Sequence, residues 1–436
     1  MADEAQAAVH QEAREVPAVP AVQAVQAGGR PEGHQGEPTA DREPTFPRER
    51  TCPFAPPAEY AHWQAEQPVA EVVLPSGQDA WLLTRYQDVR AMLDDPRFSA
   101  DSAHPGFPRM YRQAVPQVLK GTFLRMDGAD HLRYRRMLGK EFTAKGAKEM
   151  RPLVERTVDG LLDRMAEQGS PADLVTALAY PVPSTTICGV LGVPYEDRAR
   201  FEDSTRVMIS GRSTPDEVVR AKEEILGYLT GLVAAKEREP GDDLISRLLE
   251  EQVATGELDR DEVPVLAWLL LAAGHDTTAS MIGLGALLLM EHPGQLAALR
   301  SDPGLVAGTV EELLRHQTIM QIGMNRVALE DVRIGDRTVR AGEGVVAQLM
   351  AANRDPEVFS DPDRFDITRS ARGHVAFGFG PHQCLGQMLA RVELQVTLAR
   401  LFERFPKLRT VRPVAEIPFR HHMFGLYGVT ELMVEW

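Results

Sequence analysis

Cysteine is scarce in this chain, and there is no surplus of basic residues. The 436 residues include three cysteines, Cys52, Cys188 and Cys384, which lie too far apart to form a disulfide framework. This scarcity indicates a reducing compartment, so we expect a cytoplasmic protein. Acidic residues outnumber basic ones by 63 to 48, and the formal net charge is −15. Because an acidic chain is a poor general binder of nucleic acid, no nucleic-acid partner is predicted.

The sequence also lacks the signals of a secreted or membrane-anchored protein. Its first residues, MADEAQAAVHQEAREV, contain acids where a signal peptide needs bases, and no apolar run follows. One stretch, residues 263–290, is apolar and long enough to span a bilayer. It has His275, Asp276 and Thr277 at its centre, and an acid there would cost about 3 kcal/mol in lipid. We therefore predict a buried core helix in a soluble protein.

The composition of the chain changes near residue 45. Residues 1–45 are rich in Ala, Glu, Gly, Pro and Gln, which bury little surface, so this segment is predicted to be a disordered tail. No repeat or linker interrupts residues 46–436, which we interpret as a single domain. Helical periodicity dominates residues 86–317, with short strand-like runs on both sides of it. The predicted fold class is mainly α with minor β.

Two local patterns predict where elements begin and end. Residues 69–74 and 80–84 are apolar or alternating and are joined by the turn sequence PSG, which predicts a β-hairpin. Thr214, followed by Pro215 and Glu217, has the sequence of a capping box and predicts the start of a helix.

The strongest chemical signal is the segment FGFGPHQCLG at residues 377–386. Its glycines let the backbone approach a large flat group, and Cys384 stands where the loop gives way to a helix. A cysteine at a helix N-terminus is shifted toward the thiolate, the form that binds metals. The residues alone leave two other interpretations open. One is a buried free thiol; the other is a zinc site with His374 and His382, although structural zinc takes four ligands and no CxxC pair is present.

This segment resembles the haem-binding loop of the cytochromes P450, whose pattern is Phe-x-x-Gly-x-x-x-Cys-x-Gly. Phe377, Gly380, Cys384 and Gly386 occupy all of its defined positions. The resemblance implies the cytochrome P450 fold, with haem b between a long distal helix and the cysteine loop. It also implies that the Cys384 thiolate is the proximal ligand of the haem iron, where it favours O–O cleavage.

A second motif, AGHDTT at residues 273–278, lies inside the long apolar helix. Taken alone it could be a polar kink, because a threonine in a helix can bond back to a carbonyl and bend it. It resembles the distal-helix motif of the same family, in which an acid and a threonine border bound dioxygen. The resemblance implies that Thr277 donates a hydrogen bond there and that Asp276 admits protons.

A third motif pairs Glu312 with Arg315 on one helix face, an arrangement that is also common in surface ion pairs. It matches the Glu-x-x-Arg helix of the family, and residues 362–365 match its Pro-x-Arg-Phe segment. The resemblance implies a buried charge network of Glu312, Arg315 and Arg364 that holds the cysteine loop in place.

A fourth motif places His131 and Arg135 one helical turn apart, which would otherwise be read as a solvated basic face. In the family this His-x-x-x-Arg helix holds the haem propionates. Arg326 fits the second propionate arginine, and His382 commonly joins them. Arginine is suited to this role because its fork of N–H donors binds carboxylates in a fixed orientation.

Together the motifs imply a haem-thiolate monooxygenase that resembles soluble actinobacterial enzymes of secondary metabolism. Cys384, Thr277 and Asp276 would carry the chemistry, with O₂ as co-substrate and hydroxylation or epoxidation as the outcome. Electrons would come from a ferredoxin and an NAD(P)H-dependent ferredoxin reductase. A peroxide-driven enzyme or a haem-binding sensor remains the alternative, although neither requires the acid–threonine pair.

Partner and substrate sites are predicted from the same resemblance, for a protein expected to be a monomer. A basic docking face for ferredoxin would consist of Arg133, Arg136, Lys140 and Arg391. Methionines and aromatic residues in the expected pocket suit a bulky apolar ligand of polyketide, macrolide or terpenoid type. The expected lining residues are Phe107, Met110, Tyr111, Met208, Met320, Met324, Met423 and Phe424.

Overall fold

Helices dominate the structure because apolar residues recur at helical spacing through the middle of the chain. The computed structural model describes residues 45–110, 120–194, 197, 207, 214–420 and 425–436. Within them lie twelve α-helices: α1 Ala58–Glu66, α2 Tyr86–Asp94, α3 Gly128–Phe142, α4 Ala144–Gln168, α5 Pro181–Leu191, α6 Pro215–Arg238, α7 Leu244–Leu248, α8 Glu262–Glu291, α9 Pro293–Ser301, α10 Val306–Gln317, α11 Leu349–Ala352 and α12 Gln387–Arg404.

The strands are short and lie on both sides of the helical region in sequence. Those found in the described ranges are β1 Val69–Val73, β2 Asp79–Leu83, β3 Phe98–Ser99, β4 Ala172–Asp173, β5 Met324–Ala328, β6 Val332–Ile334, β7 Arg337–Val339, β8 Gly344–Ala347, β9 Arg409–Thr410 and β10 Met433–Glu435. They form a five-stranded sheet in the order β1-β2-β8-β5-β3, a three-stranded sheet in the order β4-β10-β9, and the pair β6-β7. The prediction of a mainly α fold with minor β is confirmed.

The two local predictions are also confirmed. Strands β1 and β2 pair antiparallel, with Val69 opposite Leu83. Strand β2 then pairs in parallel with β8, which joins the hairpin to the second half of the chain. Helix α6 begins after Thr214, whose hydroxyl accepts from the Glu217 N–H while the Glu217 carboxylate accepts from the Thr214 N–H.

Helix α8 is the apolar stretch that resembled a membrane span. It is long and apolar enough to cross a bilayer, but 67% of its most apolar window is buried inside the protein. Its N-terminal half packs against α3, α5 and α6 in one hydrophobic cluster, and its C-terminal half packs against α4, α10 and α12 in another. The polar segment 273–278 lies at the junction of these two clusters, so it interrupts neither core.

The described residues from 45 onward fall in one compact unit. The tail expected over residues 1–45 lies outside the described residues except for Thr45. The single-domain boundaries therefore stay a prediction.

Candidate active site

Cys384 lies in the turn that leads into α12. Its backbone N–H donates to the Phe377 carbonyl oxygen at 2.8 Å, which closes the loop on itself. The loop depends on two glycines in left-handed conformation, Gly378 at φ 72° and Gly380 at φ 70°. A Cβ on Gly380 would also lie 2.6 Å from the Leu93 carbonyl oxygen at the end of α2. Gly380 is therefore needed for packing against α2 as well as for its φ.

The Cys384 side chain is exposed, although protein surrounds it on most sides. The exposed thiol therefore lies in the wall of a recess. Burial raises its pKa, and the N–H groups of Gly386 and Gln387, which point at the sulfur, oppose that effect without outweighing it. The N–H groups at the helix N-terminus thus lower the thiol pKa as expected, but in the protein alone burial has the larger effect. A thiolate at this position needs an additional positive charge, such as a metal ion.

A zinc site around Cys384 is not supported. His374 lies 3.2 Å from the Glu311 carboxylate, whereas His382 lies 3.6 Å from the Asp127 carboxylate. No cluster of three or more His, Cys, Asp or Glu side chains that could hold a metal ion occurs in the part of the chain that the structure describes.

Helix α8 borders a recess at its polar segment. Ala273 is exposed and Thr277, one turn later on the same face, is half-buried, although both flanking turns of α8 are buried. The Thr277 hydroxyl donates to the Ala273 carbonyl oxygen at 2.8 Å. A side-chain bond of this kind often bends a helix. It leaves the hydroxyl oxygen free to accept a hydrogen bond.

Asp276 is held by two residues that the sequence analysis did not identify. Arg420 binds both carboxylate oxygens, Nη1 to Oδ2 and Nη2 to Oδ1, each at 2.6 Å. The Tyr180 hydroxyl donates to Oδ1 at 3.0 Å. Burial acts to lower the pKa of Arg420, but its bonds to Asp276 raise it overall. Since Asp276 is 1% exposed, its carboxylate is closed off from solvent.

His131 and His382 come together from distant parts of the sequence. Their rings stack with centroids 3.8 Å apart, and the Nε2 atom of His131 is buried without a partner in the described residues. Burial, with His382 and Arg135 close by, lowers the pKa of His131 to about 4, so this ring is neutral at pH 7. His382 is held by Asp127, and burial lowers the pKa of His382 as well.

Two arginines complete a cationic cluster next to these histidines. Arg326 is 4% exposed; its Nη1 donates to the Asn325 carbonyl oxygen, and its Nη2 has no partner among the described residues. Burial lowers the pKa of Arg326 to about 10. Arg135 is half-buried, and burial lowers its pKa too, with only the Cys384 thiol acting in the opposite direction. The cluster therefore has unsatisfied donors and a single acid, Asp127, to balance them.

Comparison with known proteins identifies the family. A family model described as Cytochrome P450 matches residues 212–425. The chain is 50% identical over 397 residues to Cytochrome P450-SU2 of Streptomyces griseolus, covering 90% of this chain and 97% of that protein. It is 46% identical over 392 residues to pentalenic acid synthase of Streptomyces avermitilis, with coverages of 90% and 97%. The chain is a cytochrome P450.

A solved structure supports the same assignment at the level of the fold. The crystal structure of the mycinamicin VIII C21 methyl hydroxylase MycCI from Micromonospora griseorubida, bound to mycinamicin VIII, matches with a TM-score of 0.84. The two are 40% identical, and the match covers 90% of this chain and 99% of that one. The predicted family and fold are confirmed, and this cytochrome P450 is a monooxygenase that binds haem b through a cysteine thiolate.

The donor set of the recess fits haem b. The cofactor has an iron that takes one thiolate and two propionates that need cationic donors. The exposed sulfur of Cys384 is available as the thiolate. The orphaned atoms Nη2 of Arg326 and Nε2 of His131, together with Arg135, are donors that two carboxylates would satisfy. Arg326 and Arg135 each influence the pKa of both His131 and His382, so these four side chains form a single cluster.

The charge network predicted around Arg315 is present, but one member is wrong. Arg315 is fully buried, and its Nε and Nη2 bind the two Glu312 oxygens at 2.7 and 2.8 Å. Arg364 contributes only its backbone carbonyl, because its side chain is 66% exposed and pairs with Asp366. Arg369 takes its place, with Nε 3.4 Å from Glu312. The Glu312 carboxylate already accepts from Arg315 and from the Asp366 N–H. If the Arg364 side chain were buried here as well, its guanidinium would have no carboxylate left to pair with.

The predicted docking face is smaller than expected. Arg391 forms a two-bond ion pair with Glu311 at 2.6 and 3.0 Å, so its charge is neutralised. Arg133 donates to the Glu257 carbonyl and lies over the Tyr134 ring. Arg136 and Lys140 remain exposed on one face of α3.

Only part of the expected substrate pocket falls in the described residues. Phe107 and Met110 are buried, and Met320 and Met324 are half-buried. Met320 pairs through its backbone with Leu426, so the two expected pocket segments after α10 and near the C-terminus are adjacent. The remaining four predicted lining residues lie outside the described residues; they are Tyr111, Met208, Met423 and Phe424.

Proposed function

We propose that this cytochrome P450 uses Cys384 as the proximal ligand of haem b and oxidises a bulky apolar secondary metabolite. The observation that carries this assignment is the exposed Cys384 sulfur beside a cationic cluster with unsatisfied donors. In this proposal residues 46–436 form one monooxygenase domain, which acts as a cytoplasmic monomer.

The test is the absorption spectrum of the reduced, CO-bound protein, compared with that of a Cys384→Ser variant. We expect a strongly red-shifted Soret band in the wild type and its loss in the variant, because this band requires an axial thiolate. A wild-type band that survives in Cys384→Ser would show that another residue is the ligand.

The side chains of the recess have separate tasks. His131, Arg135, Arg326 and His382 bind the propionates, which satisfies their open donors. When bound, haem supplies the oxidising chemistry by activating O₂ with two electrons.

Thr277 lies on the exposed face of α8, where its hydroxyl can turn from the Ala273 carbonyl toward dioxygen. Asp276 is bound by Arg420 and Tyr180, which hold it in place next to Thr277, where it is proposed to admit protons.

The substrate class follows from the lining residues and from similar proteins. Phe107, Met110, Met320 and Met324 give an apolar wall with adaptable side chains. Among the similar proteins, one is named a pentalenic acid synthase and another is a methyl hydroxylase bound to mycinamicin VIII. A terpenoid or macrolide ligand is the proposal, and a library of both classes can be screened for a spin-state shift on binding. Equal response to small polar ligands would contradict it.

Electrons are proposed to come from a ferredoxin that docks at Arg136 and Lys140. The double variant Arg136→Glu/Lys140→Glu should raise the KM for ferredoxin and leave the CO-bound spectrum unchanged. The double reversal Lys145→Glu/Lys148→Glu at two exposed lysines of α4 is the matched control, because it changes the net charge by the same amount without altering α3. An equal rise in KM in both variants would show only a general charge effect.

The alternatives, a peroxide-driven enzyme and a sensor, make different predictions. The proposal requires turnover with ferredoxin and reductase to exceed turnover with peroxide alone. A Thr277→Ala variant should consume NAD(P)H with little product, because the hydroxyl that steers proton delivery is gone. Tightly coupled turnover in that variant would contradict the role given to Thr277.

A further inference from the structure

Arg125 is a cation that the sequence motifs leave without a role. It ends the short 3₁₀ turn Phe123–Arg125, which precedes α3. Its guanidinium lies over the Phe107 ring, with Cζ 5.0 Å from the ring centroid. Within the described residues the Arg125 side chain forms no hydrogen bond or ion pair, and no acid acts on its pKa. An aromatic face is therefore the contact that the chain itself gives this charge.

The Arg125 guanidinium lines a recess in the protein. The side chain is exposed by its surface area, yet burial lowers its pKa, so protein surrounds the charge on most sides. Cys384 combines the same two properties. A guanidinium that is exposed inside a recess has N–H donors available to a ligand that enters it.

Phe107 places Arg125 beside Arg326. The residue after Phe107 is fixed to strand β5, because the Asn325 side-chain amide donates to the Pro108 carbonyl oxygen at 3.0 Å. Asn325 directly precedes Arg326 in that strand. The charge of Arg125 acts to lower the pKa of Arg326, as expected for two cations that lie close together.

The 3₁₀ turn is also fixed on its other side. Phe123 is buried, and its ring stacks on that of His131 with centroids 6.2 Å apart. It stacks on the Tyr134 ring as well, at 6.3 Å. The turn therefore holds Arg125 between the pocket wall at Phe107 and the cationic cluster around His131.

The acid closest to Arg125 in sequence already has other partners. Asp127 accepts from the Ser99 hydroxyl and from the Ala100 N–H, and its Oδ1 lies 3.6 Å from Nε2 of His382. Burial acts to raise the pKa of Asp127, but its bonds to His382 and Ser99 lower it overall. Asp127 is thus a carboxylate that holds His382 and the start of α3, and Arg125 is not among its partners.

The cluster needs two more anions once Arg125 is counted. Its cations are Arg125, Arg135 and Arg326, whereas its two histidines have lowered pKa values and are neutral at pH 7. Asp127 is its one acid among the described residues. A charge that is removed from water is stable only when it is paired, so two carboxylates would balance the three arginines and Asp127.

We propose that Arg125 and Arg326 together bind one carboxylate group at the Phe107 side of the recess. The inference rests on the proposed function, which places haem b in this recess. Two molecules can supply the carboxylate, namely haem through a propionate or a substrate that carries an acid. The charge balance favours haem, because its two propionates neutralise the cluster without a further anion. Arginine suits either source, since its fork of donors binds both oxygens of a carboxylate.

The first test is the rate at which the haem-loaded protein releases haem to a haem-scavenging protein. If a propionate is the ligand, we expect Arg125→Leu to release haem about 10-fold faster than the wild type, because a hydrogen bond to a charged group contributes at least that much. Arg300→Leu is the matched control. Arg300 is also an exposed arginine over an aromatic ring, 5.9 Å from the Phe402 centroid, but it lies on α9. Its loss should leave haem release unchanged.

The second test identifies a carboxylate that comes from the substrate. Decanoic acid and decanamide, which differ in charge at neutral pH, are titrated into the haem-loaded protein and followed by the spin-state shift. If the substrate is the source, the wild type should bind the acid about 10-fold more tightly than the amide, and Arg125→Leu should lose this preference. Haem release would then stay at the wild-type rate. Wild-type haem release together with an unchanged ligand preference in Arg125→Leu would overturn the proposal.

Arg125→Lys separates the charge of Arg125 from its packing on Phe107. It retains the positive charge, so its effect should be smaller than that of Arg125→Leu, and it also serves if the leucine variant does not fold. Equal effects in the two variants would show that only the packing matters, and the proposal would fall. The CO-bound spectrum separates this proposal from the proposed function. A wild type without the red-shifted band removes the function itself, whereas a normal band with no effect in Arg125→Leu removes only the role of Arg125.

Discussion

Two arginine clusters in this cytochrome P450 have similar residues but differ in how their donors are satisfied. All three guanidinium nitrogens of Arg315 have an acceptor, namely the Glu312 carboxylate and the carbonyl oxygens of Asn353, Pro362 and Arg364. Around Arg326 the reverse holds, since its Nη2 and the Nε2 of His131 have no acceptor among the described residues.

The difference separates a structural network from a binding site. A buried polar group without a partner costs about 1–3 kcal/mol, and more when it is charged. The Arg315 guanidinium finds all its acceptors within the chain. The Arg326 cluster becomes complete only when carboxylates enter it, which is what the two haem propionates supply.

The largest expected effect is on the free energy of unfolding, when Arg315 is replaced. Arg315→Leu leaves the fully buried Glu312 carboxylate without its main partner, and we expect the free energy of unfolding to fall by about 3–5 kcal/mol. Denaturant unfolding of the haem-loaded protein measures this. Replacing the exposed Lys145 by leucine is the control and should change stability by less than about 0.5 kcal/mol. Similar values for both variants would contradict the assignment of Arg315 as a structural centre.

Replacing Arg326 should weaken haem binding and leave the folding of the protein unchanged. Arg326→Leu removes one charged hydrogen bond to a propionate, which contributes about 1.5–3 kcal/mol. We expect haem to leave roughly 10- to 150-fold faster, as measured by transfer to a haem-scavenging protein. Far-UV circular dichroism should remain that of the wild type. If Arg326→Leu unfolds as readily as Arg315→Leu and retains haem normally, the two clusters do not differ as described.

The smallest expected effect is on the pH dependence of stability and comes from the ion pair of Glu311 with Arg391. Burial acts to raise the pKa of Glu311, but His374 and Arg391 lower it overall, from 4.5 to about 2. The folded state therefore binds fewer protons than the unfolded state, and stability is lost as the pH falls below the unfolded pKa. Between pH 7 and pH 4 the loss should be about 1 kcal/mol.

The matched variant for this pH effect is Glu311→Gln. It cannot ionise, so its unfolding free energy should fall about 1 kcal/mol less than that of the wild type over the same pH range. Parallel pH profiles for the two proteins would show that the Arg391 pair does not depress the carboxyl pKa.

Local structure was predictable from the sequence because it depends on neighbouring residues. The hairpin at β1 and β2 follows from alternation and a turn sequence, and the start of α6 follows from Thr214 and Glu217. The core helix α8 was predicted to within one residue at each end, since apolar residues fill nearly all of it.

The sequence motifs predicted which residues belong to the site. They did not predict which side chains form ion pairs with one another. Asp276 was found from its motif, but its partner Arg420 was not, because no local pattern connects two such distant residues. Arg364 was expected in the Glu312 network, yet Arg369 occupies that place.

The sequence by itself therefore determined the chemical groups of this cytochrome P450, the limits of its main elements and the family to which it belongs. These depend on side-chain identity and on interactions within a few residues. The tertiary structure alone decided which charges are paired and which donors remain open. Those properties depend on desolvation and on contacts between segments far apart in the chain, and only the folded protein creates either of them.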